Sequence, residues 1–265
     1  MGVDTMTEVA LEGIKGVFLD LDGTLVLGQD IIPGADYFVR NCREKGIHIT
    51  FMSNNSSRSV IQYIEKMDGL GIKAREEEIL LSTHDLISHL KETGIDRCWL
   101  IGTDGMREML EEEGIATQDT ESMWVVMGYD TEMTYQRLAT GCIMLNRGAK
   151  LIASHPDIVC PSSEGNLPDV GAMLHMIEAT TGIKADIVTG KPRAEMLVGR
   201  MNEAGLEPQQ CAMIGDRIYT DMMMAKAAGV RSILVLTGEA SREDVERMDV
   251  KERPDFIVDS VEDLF

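Results

Sequence analysis

Four short polar clusters follow four apolar runs in this chain, and together they hold the groups that phosphoryl transfer needs. Residues 16–19 run into Asp20-Leu21-Asp22-Gly23-Thr24, and residues 47–52 run into Ser53-Asn54-Asn55-Ser56. Residues 185–189 run into Gly190-Lys191-Pro192, and residues 211–214 into Gly215-Asp216, with Asp221 shortly after. A carboxylate can attack phosphorus and split the hydrolysis of a phosphate monoester into two easier steps through an acyl phosphate. A second carboxyl group close behind can protonate the leaving oxygen and then deprotonate the attacking water. Magnesium takes hard oxygen ligands, commonly one or two carboxylates beside substrate phosphate and water. Asp216 with Asp20 can supply these, and Asp221 can support them from behind. Backbone amides after the second run and the Lys191 ammonium complete a cradle for phosphoryl oxygens.

Taken singly, each cluster has a plainer explanation. An Asp after a strand is often a turn former, Ser53-Asn54-Asn55 could be an ordinary turn, and Lys191 could be a solvated loop residue. Asp221 could merely cap a helix beginning at Met222. Four such clusters in this order, all at strand ends, are hard to explain as four separate caps. In an open parallel sheet the ligand sits beyond the carboxyl ends of the strands.

The chain has the rhythm of such a sheet. Its apolar runs, with two more at 232–236 and Phe256–Val258, alternate with amphipathic stretches at 35–45, 194–204 and 222–228. That alternation is the pattern of βαβ units with helices on both faces of a buried sheet. Gly46, Gly205 and Gly229 stand where left-handed helix caps are wanted. The predicted fold class is α/β, a Rossmann-like, doubly wound parallel sheet. From about 82 to 186 there are further strand-like runs at 98–101, 124–127 and 151–153, with helical stretches at 106–113, 134–146 and 172–181. These could extend one sheet to eight or nine strands, or form a domain of their own. The spacing of the clusters favours the second arrangement. Far more chain separates Ser53 from Lys191 than an α/β crossover needs, whereas a single helix and short loops separate Lys191 from Asp216. The expected division is therefore 1–81 and 187–265 for the first domain, with an α/β domain inserted at 82–186.

Bulk composition narrows the function classes. The 265 residues are 44% hydrophobic and 26% charged, as in a globular protein with a substantial core. With 25 Lys and Arg against 45 Asp and Glu, the formal charge is −20, which argues against nucleic acid or an anionic membrane as partner. A phosphorylated small molecule would also be repelled unless a metal ion or a local lysine offset the charge. The five cysteines are scattered and read as reduced, small hydrophobes. No apolar stretch is long enough for a membrane span and none forms a signal-peptide core, so a cytoplasmic location is expected. The absence of a Walker A loop, and of G-x-G-x-x-G after a strand, leaves P-loop kinase and dinucleotide chemistry without support.

The four clusters resemble the motifs of the haloacid-dehalogenase (HAD) superfamily of phosphohydrolases. D-x-D-G-T matches residues 20–24, the second motif Ser53-Asn54-Asn55, the third Lys191, and G-D-x-x-x-x-D residues 215–221. The resemblance implies Asp20 as nucleophile, Asp22 as acid and base, Ser53, Asn54 and Asn55 as phosphate-binding residues, and Lys191 as stabiliser of the phosphoryl group. It also implies Mg2+ held by Asp20, the Asp22 backbone carbonyl and Asp216, with Asp221 supporting them. Asp22 counts against the dehalogenase branch, which lacks that carboxylate. The long insertion falls where the superfamily's larger α/β caps occur. Within it, residues 126–130, 152–157 and 171–174 are similar to the NagD-like, 4-nitrophenylphosphatase-like branch. Relatives of that branch hydrolyse nucleoside monophosphates, phosphoglycolate, pyridoxal phosphate or sugar phosphates, and include monomers and cap-mediated homodimers. A phosphotransferase or mutase on the same core, or a silent binding module, are the competing readings. Mutases usually carry a small helical cap for which Thr24 to Ser53 leaves no room, and a module that only binds has no need of Asp22.

Inside the insertion, Asp169, Val170 and Gly171 are the expected specificity residues, just before a helix from Ala172; an ordinary loop leading into a helix is the alternative. Asp169 would favour substrates bearing hydroxyl or amino groups. His155 is the histidine to watch. Glu76-Glu77-Glu78 and Glu111-Glu112-Glu113 read as solvated helical faces.

Overall fold

Gly16–Asp20 is a short apolar run with every residue buried, and it forms the central strand of a sheet. It pairs in parallel with His48–Ser53 on one side and Cys211–Gly215 on the other. Arg231–Val235 and Phe256–Val258 continue the sheet in parallel, and Ile79–Leu81 lies at the opposite edge. Such runs carry apolar residues on both faces because helices cover both. The register sets the chemistry. Asp20 lies across from Met52, next to Ser53, while Leu19 lies across from Ile214, just before Gly215-Asp216. Three of the four polar clusters thus begin at one carboxyl edge, at the ends of neighbouring strands.

The computed structural model describes residues 10–28, 30–162 and 164–265; residues 1–9, part of the N-terminal stretch read above for a signal peptide, lie outside them. The chain divides into two units. The first holds the described residues up to Ser53, with Ile64–Leu80 and Pro192–Phe265, and contains the six-stranded sheet. Its helices include Ala35–Glu44, Glu195–Ala204 and Met223–Ala228. One of its core clusters is rich in methionine, with Met52, Met196, Met201, Met213 and Met224 packed around Phe18 and Leu197. Gly205 and Gly229 end their helices in the left-handed conformation, as expected.

The second unit comprises Asn54–Tyr63 and Leu81–Lys191. Among the described residues it has its own four-stranded parallel sheet, in the order Ile187–Val188, Lys150–Ala153, Trp124–Met127, Trp99–Ile101. Two separate sheets replace the single large sheet held open above. Helices Asp104–Glu112, Tyr135–Asn146 and Val170–Thr181 accompany it, and its core gathers Ile101, Val125, Met127, Leu151, Val170 and Ile177.

Three details differ from expectation. Ile187–Val188, read above with the first domain's strands, pairs with Lys150–Ala153 in the sheet of the second unit. Glu78 is not on a solvated helical face: it is buried and pairs with Arg43 and Arg75, each at 2.8 Å. It precedes a strand, Ile79–Leu81, too short to show a period in sequence. The stretch expected as a helix from Met222 begins earlier, with a π-helical turn over Ile218–Met222.

None of the five cysteines is in a disulfide. Burial pushes the Cys42 and Cys98 thiols up to about 12 and Cys211 up to about 11, so they stay protonated at neutral pH. Iodoacetamide is therefore expected to label only the part-exposed Cys160 in native protein, as peptide mass spectrometry would show. Labelling of Cys42 or Cys98 before unfolding would contradict the packing described here.

Candidate active site

Asp20, Asp216 and Asp221 each offer a carboxylate oxygen within 4.8 Å of the others, and all three residues are buried in the first unit. Asp20 ends the central strand. Asp216 follows the neighbouring strand and accepts at Oδ2 from the Glu239 amide at 2.7 Å, while its carbonyl accepts from Ala240 N at 3.1 Å. Asp221 does not stand ahead of a helix as a simple cap. It sits within the π turn, where Met222 N reaches back to Arg217 O at 3.2 Å and Arg217 N donates to Asp221 Oδ2 at 3.2 Å. The wider turn brings a helical side chain back toward the strand end, a recurrent use of π turns at functional sites.

Glycines make room for this group. A Cβ on Gly23, which has φ +93°, would stand 2.3 Å from Asp216 Oδ2, and one on Gly238 would stand 1.9 Å from the same atom. A Cβ on Gly215 would come 2.4 Å from Asp221 Oδ2. Three carboxylate oxygens so close together could hold a cation. The donor set is all hard oxygen, which suits Mg2+ or Ca2+ rather than a thiolate- or imidazole-seeking metal.

The loop that follows Asp20 separates its two acids. Leu21 and Leu25 are buried, and Leu21 O accepts from Leu25 N and Val26 N, both at 2.9 Å. Thr237 Oγ1 donates to Gly23 O at 2.6 Å. Asp22 is left more open, with 44% of its side chain exposed, and pairs with Lys66 Nζ at 3.2 Å. Ser53 is buried at the end of its strand.

Asn54 and Lys191 belong to the second unit, where they are joined directly. Asn54 Oδ1 accepts from Lys191 N at 2.8 Å, and Asn54 Nδ2 donates to Lys191 O at 3.2 Å. The same Nδ2 donates to both Asp157 oxygens, at 3.2 Å each. The Asn54 side chain is thus committed within the protein, and any phosphate contact from Asn54 falls to its backbone N–H. Asn55 Oδ1 likewise accepts from Ser57 N at 2.9 Å and Ser57 Oγ at 2.6 Å, closing a turn. Gly190 has φ +76° and donates its N–H to Asp85 Oδ2 at 2.8 Å.

The expected specificity segment lies at the start of a helix. The helix begins at Val170, two residues earlier than read from sequence, because buried Asp169 caps it by accepting from Val170 N at 2.7 Å. Val170 is a core side chain, and a Cβ on Gly171 would lie 2.4 Å from Pro156 O, so neither presents a side chain to a ligand. Asp169 Oδ1 lies 3.5 Å from Nε2 of the fully buried His155, whose Nδ1 is 3.8 Å from Asp157 Oδ2. Nearby, burial above all, with Cys160 and Asp169 adding to it, raises the Tyr129 phenol above its ordinary range, so it remains protonated.

Lys66, Asp85, Asp157 and Gly238 were missed in the sequence. Thr237-Gly238-Glu239 follows the 231–235 strand, so the strand-end rule could have found it. The other three sit within or beside helices and loops without a distinguishing pattern.

A family model for haloacid dehalogenase-like hydrolases matches residues 17–116, and a HAD-hydrolase-like model matches residues 188–264. The 5'-nucleotidase YutF of Bacillus subtilis is 32% identical over 93% of this chain and 96% of its own. The chain belongs to the haloacid-dehalogenase-like hydrolase family. The two matched stretches contain all four motifs, and residues 117–187, which neither covers, fall within the second unit. The 4-nitrophenylphosphatase of Thermotoga maritima superposes on this HAD chain with a TM-score of 0.89 at 38% identity, covering 96% of this chain and 97% of that one. A glycerol phosphate phosphatase of Mycobacterium tuberculosis solved with magnesium gives 0.88 at 26% identity, over 98% of this chain and 79% of the other. The HAD core with its inserted α/β cap is of the NagD-like branch, and the protein is a phosphoric monoester hydrolase. Among the described residues no helix is long and apolar enough to cross a membrane.

Proposed function

We propose that this protein is a Mg2+-dependent phosphatase of small phosphate monoesters that works through a phosphorylated Asp20. The observation that carries this reading is the buried group Asp20, Asp216 and Asp221 at one sheet edge, with the half-open Asp22 two residues beyond Asp20. Asp20 Oδ attacks phosphorus as the bond from phosphorus to the leaving oxygen breaks, and Asp22 gives that oxygen its proton. Water then attacks the acyl phosphate, Asp22 takes the water's proton, and inorganic phosphate and the Asp20 carboxylate are restored. Asp20, Asp216 and the Asp22 carbonyl would hold the magnesium, with Asp221 behind them, and the ion would neutralise phosphoryl charge. Ser53 and Lys191 keep in this reading the phosphate-binding roles that their motifs imply.

The proposed substrates are metabolites of the nucleoside monophosphate, sugar phosphate, glycerol phosphate, phosphoglycolate or pyridoxal phosphate type. A formal charge of −20 disfavours polyanions such as nucleic acids, and the named relatives include a 5'-nucleotidase, a 4-nitrophenylphosphatase and a glycerol phosphate phosphatase. A phosphometabolite panel read by phosphate release, with magnesium and with chelator, tests this. Release from one or a few monoesters only when magnesium is present is expected, and metal-independent release across the panel would refute it.

Lys66 acts in this scheme by orienting Asp22. Protonation of the leaving group matters most for a poor leaving group. Lys66→Met is therefore expected to lower kcat for glycerol phosphate about tenfold more than for p-nitrophenyl phosphate. Equal losses on the two substrates would mean that Lys66 has only a packing role.

A further inference from the structure

We propose that Asp157 is a positioning residue that fixes the backbone of Lys191 by locking the orientation of the Asn54 amide. The inference rests on the phosphatase reading for the task of Lys191, but its geometry lies wholly within the second unit. The Asn54 carboxamide grips both the N–H and the C=O of Lys191, at 2.8 and 3.2 Å. This grip works in one sense only: Oδ1 must face the Lys191 N–H and Nδ2 the carbonyl. A terminal amide rotates with a roughly two-fold profile, so torsion alone does not choose the sense; the Lys191 N–H and C=O favour it, and a neighbour that excludes the reverse fixes it.

Asp157 supplies that exclusion. Its two oxygens both receive Asn54 Nδ2 at 3.2 Å, and an ionised carboxylate only accepts, so the reversed amide would set oxygen against oxygen. Asp157 is itself placed from behind. The fully buried His155 lies between Asp157 and the helix cap Asp169, 3.8 and 3.5 Å from their oxygens. The turn leaves little slack elsewhere. A Cβ on Gly190 would be 2.6 Å from Ser154 O and 2.9 Å from Asn54 Oδ1, and the Gly190 N–H is tied to Asp85 at 2.8 Å. Lys191 thus emerges from a peptide pinned by Asp85 on one residue and by Asn54 and Asp157 on the next. The order of dependence is Asp157, then the sense of the Asn54 amide, then the direction of the Lys191 side chain.

Amide hydrogen exchange in the full-length protein reads this directly, without reference to activity. In Asp157→Ala the Lys191 amide is expected to exchange about tenfold faster, a lost hydrogen bond being worth roughly that factor, while the Val170–Thr181 helix keeps its protection. Asp157→Asn keeps an acceptor but no longer excludes the reversed amide, so its rate should fall between wild type and Asp157→Ala. Turnover of p-nitrophenyl phosphate should fall in the same order, in kcat rather than only in KM. If Asp157→Ala loses protection throughout the second unit, Asp157→Asn decides: faster exchange confined to the 190–191 turn supports the proposal. Unchanged exchange at Lys191 in both variants overturns it. Faster exchange at Lys191 in a protein whose wild type hydrolyses no phosphomonoester would uphold the positioning role and reject the phosphatase reading instead.

Discussion

Asp20→Asn is expected to abolish magnesium-dependent turnover of p-nitrophenyl phosphate while leaving the fold intact. Asparagine has the size of aspartate and suits the end of a buried strand, where Asp20 lies across from Met52. Its amide cannot form the acyl phosphate, so the two-step route closes and only slow, unassisted attack by water remains. Loss of the nucleophile should lower kcat by about 10,000-fold or more, roughly 5.5 kcal/mol of transition-state stabilisation. Circular dichroism and the unfolding midpoint should stay close to wild type, because the side chain keeps its size and one of three crowded carboxylates is neutralised. A purely structural Asp20 would give the opposite pattern, with modest loss of rate and clear loss of stability. Turnover that survived both the substitution and chelator would show that another group attacks phosphorus.

The strand ends were the legible part of this molecule. Asp20, Ser53 and Asp216 could be placed from sequence because a parallel strand buried on both faces is a continuous apolar run, and its first polar residue marks the carboxyl edge. The insertion was legible from chain length between motifs. What escaped was set by partners distant in sequence. Nothing near Asn54 shows that its amide is consumed by Lys191 and Asp157, or that Asp85 grips Gly190. Nor does the sequence show that Asp169, which reads there as a specificity residue before a helix from Ala172, is buried beside His155 and caps a helix that starts at Val170. The π turn at Ile218–Met222 also leaves no periodic trace, since it adds one residue to a helical turn without changing residue type. Glu78 shows the converse limit: a run of three glutamates looks solvated until Arg43, from a distant helix, and the adjacent Arg75 are found closing on one of them.

The second large effect concerns metal binding, and two variants separate charge from geometry. Magnesium at a hundredfold excess over its Kd stabilises a folded site by about 2.7 kcal/mol. At about 2–4 °C per kcal/mol, the unfolding midpoint of wild-type protein should rise by roughly 5–10 °C on adding magnesium and fall back with chelator. Asp216→Asn should lose this response. Its oxygen can still accept from the Glu239 amide, so the metal-free midpoint should not drop, and relief of like-charge repulsion favours a small rise. Gly238→Ala keeps every charge but places a Cβ 1.9 Å from Asp216 Oδ2, which must move. That variant should also lose the magnesium response, now with a metal-free midpoint below wild type because the loop is strained and the repulsion remains. Charge alone predicts that Gly238→Ala still binds magnesium; a site defined by the aim of Asp216 predicts that it does not. A full magnesium-induced rise in Gly238→Ala would place the cation away from Asp216, and the three-carboxylate group would then need another explanation.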